Sequence, residues 1–448
     1  MSDSSKHFAS ALAEPKFALF SAGQFISQFG DFLAQIALIA AVGEFTTRAP
    51  LAYSQIPVAI ALPALLFGPF IGVLIDRRSK RSMLMLADGA RALIILSIPI
   101  LIKLTGTVIV LFPLVCLNYL FVLFAKSARV SYIPYLVPPE KIFAANAVMD
   151  FINKLAGVLG FVGGGLLVVG QFWKHLGIEP WEAGFYLDSI SFAASLLTLA
   201  LIKSHETLPE RVKGEDFGRL WQRRWQNIRT DLAELKHVYL LNHKVRFATF
   251  SLLLVSIFGG SLYPLVIVIA QKDLKVGAGT SGVGFLGGLL GGGMMTGALL
   301  SGFLLHRLSR RHIIIGGLFG LSLMVMLFAK SSSYWHLLAI TFMGGVFLQP
   351  VMTAQNTLFH ESVDRSIWGR IFSARDIILD AGFVASALTL GFLAQLVLPA
   401  FGSVNQERTA LFWCGASLAV LTLVGFRIVR RQKKTERNNS DVGENVRY

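Results

Sequence analysis

The sequence predicts an all-α membrane protein: twelve transmembrane helices in two six-helix pseudo-repeats, with both termini cytoplasmic. Three observations predict it. Of 448 residues, 54% are apolar and only 15% charged, against about 25% charged in an ordinary soluble domain. That excludes disorder, which needs low hydrophobicity, and a soluble globule could not hide so much apolar surface. The apolar residues fall in long unbroken runs. A lipid-spanning helix needs about 20 of them, and the alternating pattern of a barrel, the other fold that satisfies its backbone in lipid, is missing. Finally, several sequence blocks recur 229 or 230 positions later.

The runs, bounded by charges, Gly or Pro, place spans at about 17–43, 51–75, 82–104, 107–127, 144–170, 183–203, 247–270, 281–305, 312–330, 334–358, 370–400 and 408–430. The polar first fifteen residues lead to no small-residue cleavage site, so no removable leader is expected. Residues 1–203 form the N-terminal six-helix bundle and 247–430 the C-terminal one. Between them lies a polar linker, 204–246. In it Leu220, Trp221, Trp225 and Ile228 form one helical stripe among Arg219, Arg223, Arg224 and Arg229. This pattern suits an amphipathic helix on an anionic lipid surface; a partner-binding helix is the alternative. The charged stretch 431–448 is expected to be a disordered cytoplasmic tail.

The net charge of +15 would suggest nucleic acid in a soluble protein. Its distribution decides otherwise. The termini and the loops on their side hold 32 Lys and Arg, and the opposite loops hold 7. This bias orients the bundle with its termini in the cytoplasm and removes the need for a nucleic-acid partner. Cys116 and Cys414 lie in apolar stretches, with no disulfide framework or zinc spacing. No metal or other cofactor is expected. No Ser/His/Asp set or nucleotide motif supports an enzyme; His360 and Glu361 are adjacent but lack companions. The glycines from Gly282 to Gly297 in the eighth span lack the Gly-Lys-Ser/Thr ending of a phosphate loop. They suit close helix approach and bending instead.

After the second span comes Gly72-Val-Leu-Ile-Asp76-Arg77-Arg78-Ser79-Lys80-Arg81. After the eighth comes Gly302-Phe-Leu-Leu-His306-Arg307-Leu-Ser-Arg310-Arg311, at an offset of 230. Ser27 to Leu33 matches Ser256 to Leu262 at 229, and Asp150 matches Asp380 at 230. Duplicated halves are the arrangement of secondary transporters. The first loop resembles the signature loop of the major facilitator superfamily, and the resemblance covers almost the whole chain. It departs at Ser79, where that family usually has Gly, and at His306, where the second copy lacks the acid. The run Pro134 to Asn146, the segment Tyr186 to Phe192 and Gly369 to Ser373 are similar to the macrolide-efflux and enterobactin-exporter branch. Lysophospholipid transporters share parts of the pattern. The resemblance implies alternating opening of a cavity between the halves. It also implies a cytoplasmic gate in which Gly72 allows close approach, while Asp76, Arg77, Arg78, Lys80 and Arg81, with Arg307 and Arg310, latch across helices. The alternative is that these cations only orient the loops.

Charges inside spans cost about 2.5–3.5 kcal/mol on insertion scales and usually face a cavity or a partner. Asp31 stands midway along the first span, on a polar stripe with Gln24, Gln28 and Gln35. Its counterpart in the second half is Gly260, so the repeat's common scaffold does not explain it. Asp31 reads as a cavity acid that binds a cationic substrate, or as a proton carrier; a structural hydrogen bond between helices is the alternative. Asp188 reads either as a second proton site or as a helix-start residue. Asp88, Arg91, Asp150, Lys154, Arg375, Asp376 and Asp380 read as cytoplasmic gate residues. The expectation is a monomeric, proton-coupled exporter of an amphiphilic small molecule (drug, macrolide or siderophore type) in the bacterial inner membrane. The alternative is a lysophospholipid flippase of the same fold.

Overall fold

The computed structural model describes residues 10–46, 50–76, 78–167, 172–202, 206, 238–239, 242–273, 280–363, 368–397 and 405–444. The amphipathic stripe expected in the linker lies outside the described residues, as do Arg77 and the side chain of Asp76. Twelve described helices are long and apolar enough to cross a membrane, one for each expected span. They are α1 (Pro15–Phe45), α2 (Pro50–Asp76), α3 (Lys80–Thr105), α4 (Leu111–Tyr132), α5 (Ile142–Leu167), α6 (Pro180–Leu201), α7 (His243–Asp273), α8 (Thr280–Arg307), α9 (Arg310–Lys330), α10 (Tyr334–Ser362), α11 (Trp368–Phe392) and α12 (Gln406–Glu444). α11 continues into a π-helical turn, Leu393–Val397.

α12 differs from expectation. The sequence pattern ends the last span at 430 and leaves a disordered tail, yet the helix runs on to Glu444. Nucleating a helix is costly and extending one is not. The Lys, Arg, Gln and Glu residues of the extension have good helix propensity, so they prolong a helix that the spanning part has already nucleated.

The duplication is visible in the packing. α1 packs on α5 and α6, as α7 packs on α11 and α12. α2 packs on α4 as α8 packs on α10, and α3 packs on α4 and α6 as α9 packs on α10 and α12. The repeated loops share an atomic detail. Lys80 Nζ donates to the carbonyl of Ile75 at 2.7 Å, and Arg310 Nη1 to that of Leu305 at 3.0 Å. In both copies a cation at the start of one helix donates to a carbonyl in the last turn of the helix before it.

The departure at Ser79 is explained at the same place. Its Oγ accepts the Ser82 N–H at 3.2 Å, the N-cap bond a glycine cannot make. Glu206, from the start of the linker, completes the cap. Its carboxylate accepts the N–H groups of Lys80 at 2.6 Å and Arg81 at 2.8 Å, and the Ser79 hydroxyl at 3.1 Å. Arg81 in turn donates to the carbonyls of Leu199 and Ala200 at the end of α6. Glu206→Ala should therefore cost about 0.5–2 kcal/mol. Faster amide hydrogen exchange confined to Lys80–Ser82 would show it; unchanged exchange there would refute the cap.

The apolar cores show how the halves meet. One cluster, at the end away from the repeated loops, draws on both halves: Leu33 to Val42, Tyr53 and Ile56 from the first, Leu265 to Ala270, Val283 and Leu286 from the second. At the loop end there are two separate clusters. One contains residues of the first half, including Phe20, Ile75 and Tyr132; the other contains residues of the second, including Ile314, Val351 and Phe359.

Candidate functional site: a buried ion pair below a one-ended seam

At the end away from the loops, the halves are joined mainly by two helix pairs, α8 with α5 and α11 with α2, and to a smaller extent by α7 with α2 and α8 with α1. α8 meets α5 through a glycine face. A Cβ on Gly284 would lie 2.5 Å from the Phe161 carbonyl oxygen, and one on Gly288 would lie 2.3 Å from Val162 Cγ2. Gly287 and Gly291 face Phe161 and Val158. The opposite face of α8 uses Gly293 and Gly297 against α10, so the glycine run serves two interfaces. α11 meets α2 where Gly391 lies against Ser54 and the Pro50 carbonyl. Tyr53 of α2 donates its hydroxyl to Gln271 of α7 across the seam.

Toward the loop end the same helices part. A Cβ on Gly68 of α2 or on Gly302 of α8 would meet nothing within 4 Å, and Leu66, Leu299 and Phe303 are exposed. Every ion pair among the described residues lies within one half. The gate residues from the sequence follow this pattern. Lys154 pairs with Asp150 on α5 at 2.9 Å, Arg310 with Glu361 at 2.7 Å, and Arg375 with its neighbour Asp376 at 2.7 Å while also bonding Asn356. Arg307 lies over the Phe303 ring at 4.1 Å, and Arg78 is exposed. Asp380 is half-buried on α11. Among the described residues no hydrogen bond or ion pair joins the halves at the loop end; Lys126 of α4 acts on Asp380 of α11 only through its charge.

The exceptions are Asp88 and Arg91. Sequence position assigned both to the loop-end gate; the structure places them in the interior of the first half. Arg91 is 1% exposed. Its Nη2 donates to Asp31 Oδ1 of α1 in an ion pair, its Nε to Asn118 Oδ1 of α4 at 3.2 Å, and its guanidinium lies 4.1 Å over the Phe192 ring of α6. Arg91 therefore ties α1, α3, α4 and α6 together. Asp31 is the outward partner, 27% exposed against 2% for the arginine side chain. Asp88 is buried one turn before Arg91 and accepts the Ser195 hydroxyl at 2.8 Å. Asp188, read from sequence as a second proton site or a helix-start residue, lies in the same cluster and is completely buried.

The rest of the stripe behaves differently from Asp31. Gln24 and Gln28 are buried, their Oε1 atoms unpartnered, and Gln28 Nε2 donates to the Gln24 carbonyl at 3.1 Å. Gln35 is half-buried. The structure brings Asp31, Asp88, Arg91 and Asp188 together and leaves these glutamines outside their hydrogen bonds. Sequence reasoning missed Asn118, Phe192, Ser195 and Arg129. Arg129 belongs to the last turn of α4 and has a buried Nε without an acceptor. Its signal was position: as a cation at the edge of a span it read as loop charge.

The second half lacks this chemistry. Its charged residues within spans, apart from helix ends, are those of α11, and Gly260 packs against the Phe383 carbonyl at the place matching Asp31. Among the described residues no group of His, Cys, Asp and Glu could hold a metal ion.

Comparison with known proteins agrees with the geometry. A family model described as the Major Facilitator Superfamily matches residues 20–242 and 248–446. An uncharacterized MFS-type transporter of Bacillus subtilis, YfiS, is 28% identical over 38% of this chain and 39% of its own length. One of Mycobacterium tuberculosis, Rv0037c, is 29% identical over 38% of each. The chain thus spans well under half of the curated relatives it matches. Among solved structures, a bacterial homologue of the human lysosomal transporter Spinster, inward-facing and occupied, gives a TM-score of 0.70 at 13% identity, covering 93% of this chain and 97% of that one. The nucleoside transporter NupG gives 0.65 at 12% identity, covering 91% and 98%. At these identities the likeness is one of fold.

Proposed function

The chain belongs to the Major Facilitator Superfamily, and from that premise we propose that it is a proton-coupled exporter of an amphiphilic small molecule, of the drug, macrolide or siderophore type, working by alternating access in a bacterial inner membrane. That it is a membrane transporter of this superfamily follows from the family match and the twelve spans. The further steps are ours. The observation that carries them is Asp31: a mid-span carboxylate, partly exposed, backed by a buried arginine, in a molecule whose described apolar cores merge the halves at one end and keep them separate at the other. A carboxylate there suits reversible protonation, because its charge state depends on whether it faces water, cation or protein. The bias of basic loops supports a cytoplasmic position for the open end and for both termini, which makes this the inward-open state of a monomer. In that state the substrate enters from the cytoplasm, and its apolar part meets aromatics such as Tyr263 and Phe383, which pack edge to face in the second half.

Reconstituted protein with an imposed proton gradient tests this reading. Macrolides, catecholate siderophores and lysophospholipids are offered in turn. The expected result is gradient-dependent movement of a macrolide or siderophore, lost in Asp31→Asn. Movement of a lysophospholipid without gradient dependence would replace the exporter reading with a flippase, and full transport by Asp31→Asn would remove the site.

A further inference from the structure

We propose that Arg91 is shared between two carboxylates, Asp31 of α1 and Asp188 of α6, and that one proton resides on whichever of the two Arg91 has released. The exchange deepens the proton-coupling reading above and rests on it for its role in transport, but the exchange itself is a property of the resting protein.

Three observations carry it. First, the two acids flank one cation. Arg91 lies on the Phe192 ring, and Asp188 is one helical turn before Phe192, on the same face of α6. Gly30, the residue before Asp31, is pressed against Asp188 from the other side: a Cβ there would lie 2.5 Å from Asp188 Oδ1 and 2.1 Å from Ser191 Oγ. Second, Asp188 makes no direct bond to a cation in this state. It is completely buried, its Oδ2 has no partner, and Oδ1 receives only the Ser191 hydroxyl at 3.2 Å. That hydroxyl also reaches the Asp188 carbonyl at 2.8 Å. A bare carboxylate so placed is costly, and a buried charge is normally paired or neutralised. Third, the bonds of Arg91 in this state go to Asp31 and Asn118 and none to Asp188, so pairing with Asp188 requires the guanidinium to move.

The neighbouring groups do not remove the need for exchange. On α3, Asp88 is held by Ser195. On α4, Tyr119 is partly buried and Arg129 has an unpartnered Nε. On α5, Asp150 and Lys154 pair with each other. The step then balances. Asp31 takes a proton from the open side and becomes neutral, which releases Arg91. The guanidinium moves to Asp188, and Asp188 gives up its proton to solvent as the cation arrives. One proton enters and one leaves, so the cluster has the same charge before and after the exchange and one more positive charge between the two steps.

Infrared difference spectroscopy of the purified full chain at neutral pH tests the exchange without any substrate. Wild type should show a carboxylic-acid C=O band that is lost in Asp188→Asn. The band should also be lost in Asp31→Asn, where Asp188 is still present but Arg91 is free to ionise it; an acid with only a structural role would keep its band there. Asp188→Glu should return a shifted band, which guards against misfolding of the asparagine variant, and Asp88→Asn should leave the band in place. No such band in wild type, its persistence in Asp188→Asn, or its persistence in Asp31→Asn overturns the proposal. Transport assays remain separate: the expected bands without any proton-gradient effect on transport would leave the exchange standing and remove the proton-coupled reading.

Discussion

Arg91→Leu should be the most damaging single substitution in the first half. The guanidinium holds α1 through Asp31, α4 through Asn118 and α6 through the Phe192 ring. Removing one member of a buried pair strands the other, at about 3–5 kcal/mol. Here the stranded group is Asp31, with Asp88 and Asp188 close behind it. Thermal unfolding of the purified protein should show a clearly lowered midpoint, and transport should be lost. Asp31→Asn combined with Arg91→Leu should be more stable than Arg91→Leu alone, because it removes the uncompensated carboxylate. Equal stability of these two variants would show that the carboxylate stranded by Arg91→Leu costs nothing, and adding Asp31→Asn alone completes the cycle that measures the coupling of the pair.

The second large effect is expected at the seam. Gly288→Leu introduces a side chain where even a Cβ falls 2.3 Å from Val162 Cγ2 and 3.2 Å from the Val158 carbonyl oxygen. Overpacking of this kind costs about 1–3 kcal/mol, and about 1.4 kcal/mol is a tenfold change in an equilibrium. The strain exists only while α5 and α8 are pressed together at the end away from the loops. It therefore works against the present state and in favour of one in which the loop ends approach. Spin labels at Arg78 and Leu308, both exposed at the loop end, should report a shorter separation in the variant than in wild type. Gly288→Ala should give a smaller shift in the same direction, and an unchanged distance distribution in both would show that the seam does not govern the opening.

Much of this architecture is legible in the sequence because lipid leaves so few choices. The apolar runs fixed twelve helices, and the recurrence of Gly72–Arg81 at Gly302–Arg311 fixed the duplication; the shared bond from Lys80 and Arg310 is its structural form. Asp31 was legible because a mid-span carboxylate needs a reason. Its partner was not. Nothing in periodicity says which of α3's faces meets α1, so Arg91 read as a gate residue although its depth in the span was the available clue. The burial of Gln24 and Gln28 was hidden for the same reason: a polar stripe shows which residues share a face, not what that face meets. The extension of α12 escaped because composition reports solubility better than it reports helix continuation.

The loop-end bonds bear on how such a chain is made. Glu206 and Arg81 close the first half upon itself, and Asn242 closes the second by capping the start of α7 and donating to the Ser362 carbonyl at 2.9 Å. Each half thus satisfies these helix ends with its own residues before the other is needed. During synthesis, the first six helices leave the ribosome with the last stitch, Glu206, following directly behind them. A break placed in the linker between Glu206 and Asn242 would cut none of these bonds, so two separately translated halves would carry what each needs to assemble and then meet along the glycine seam.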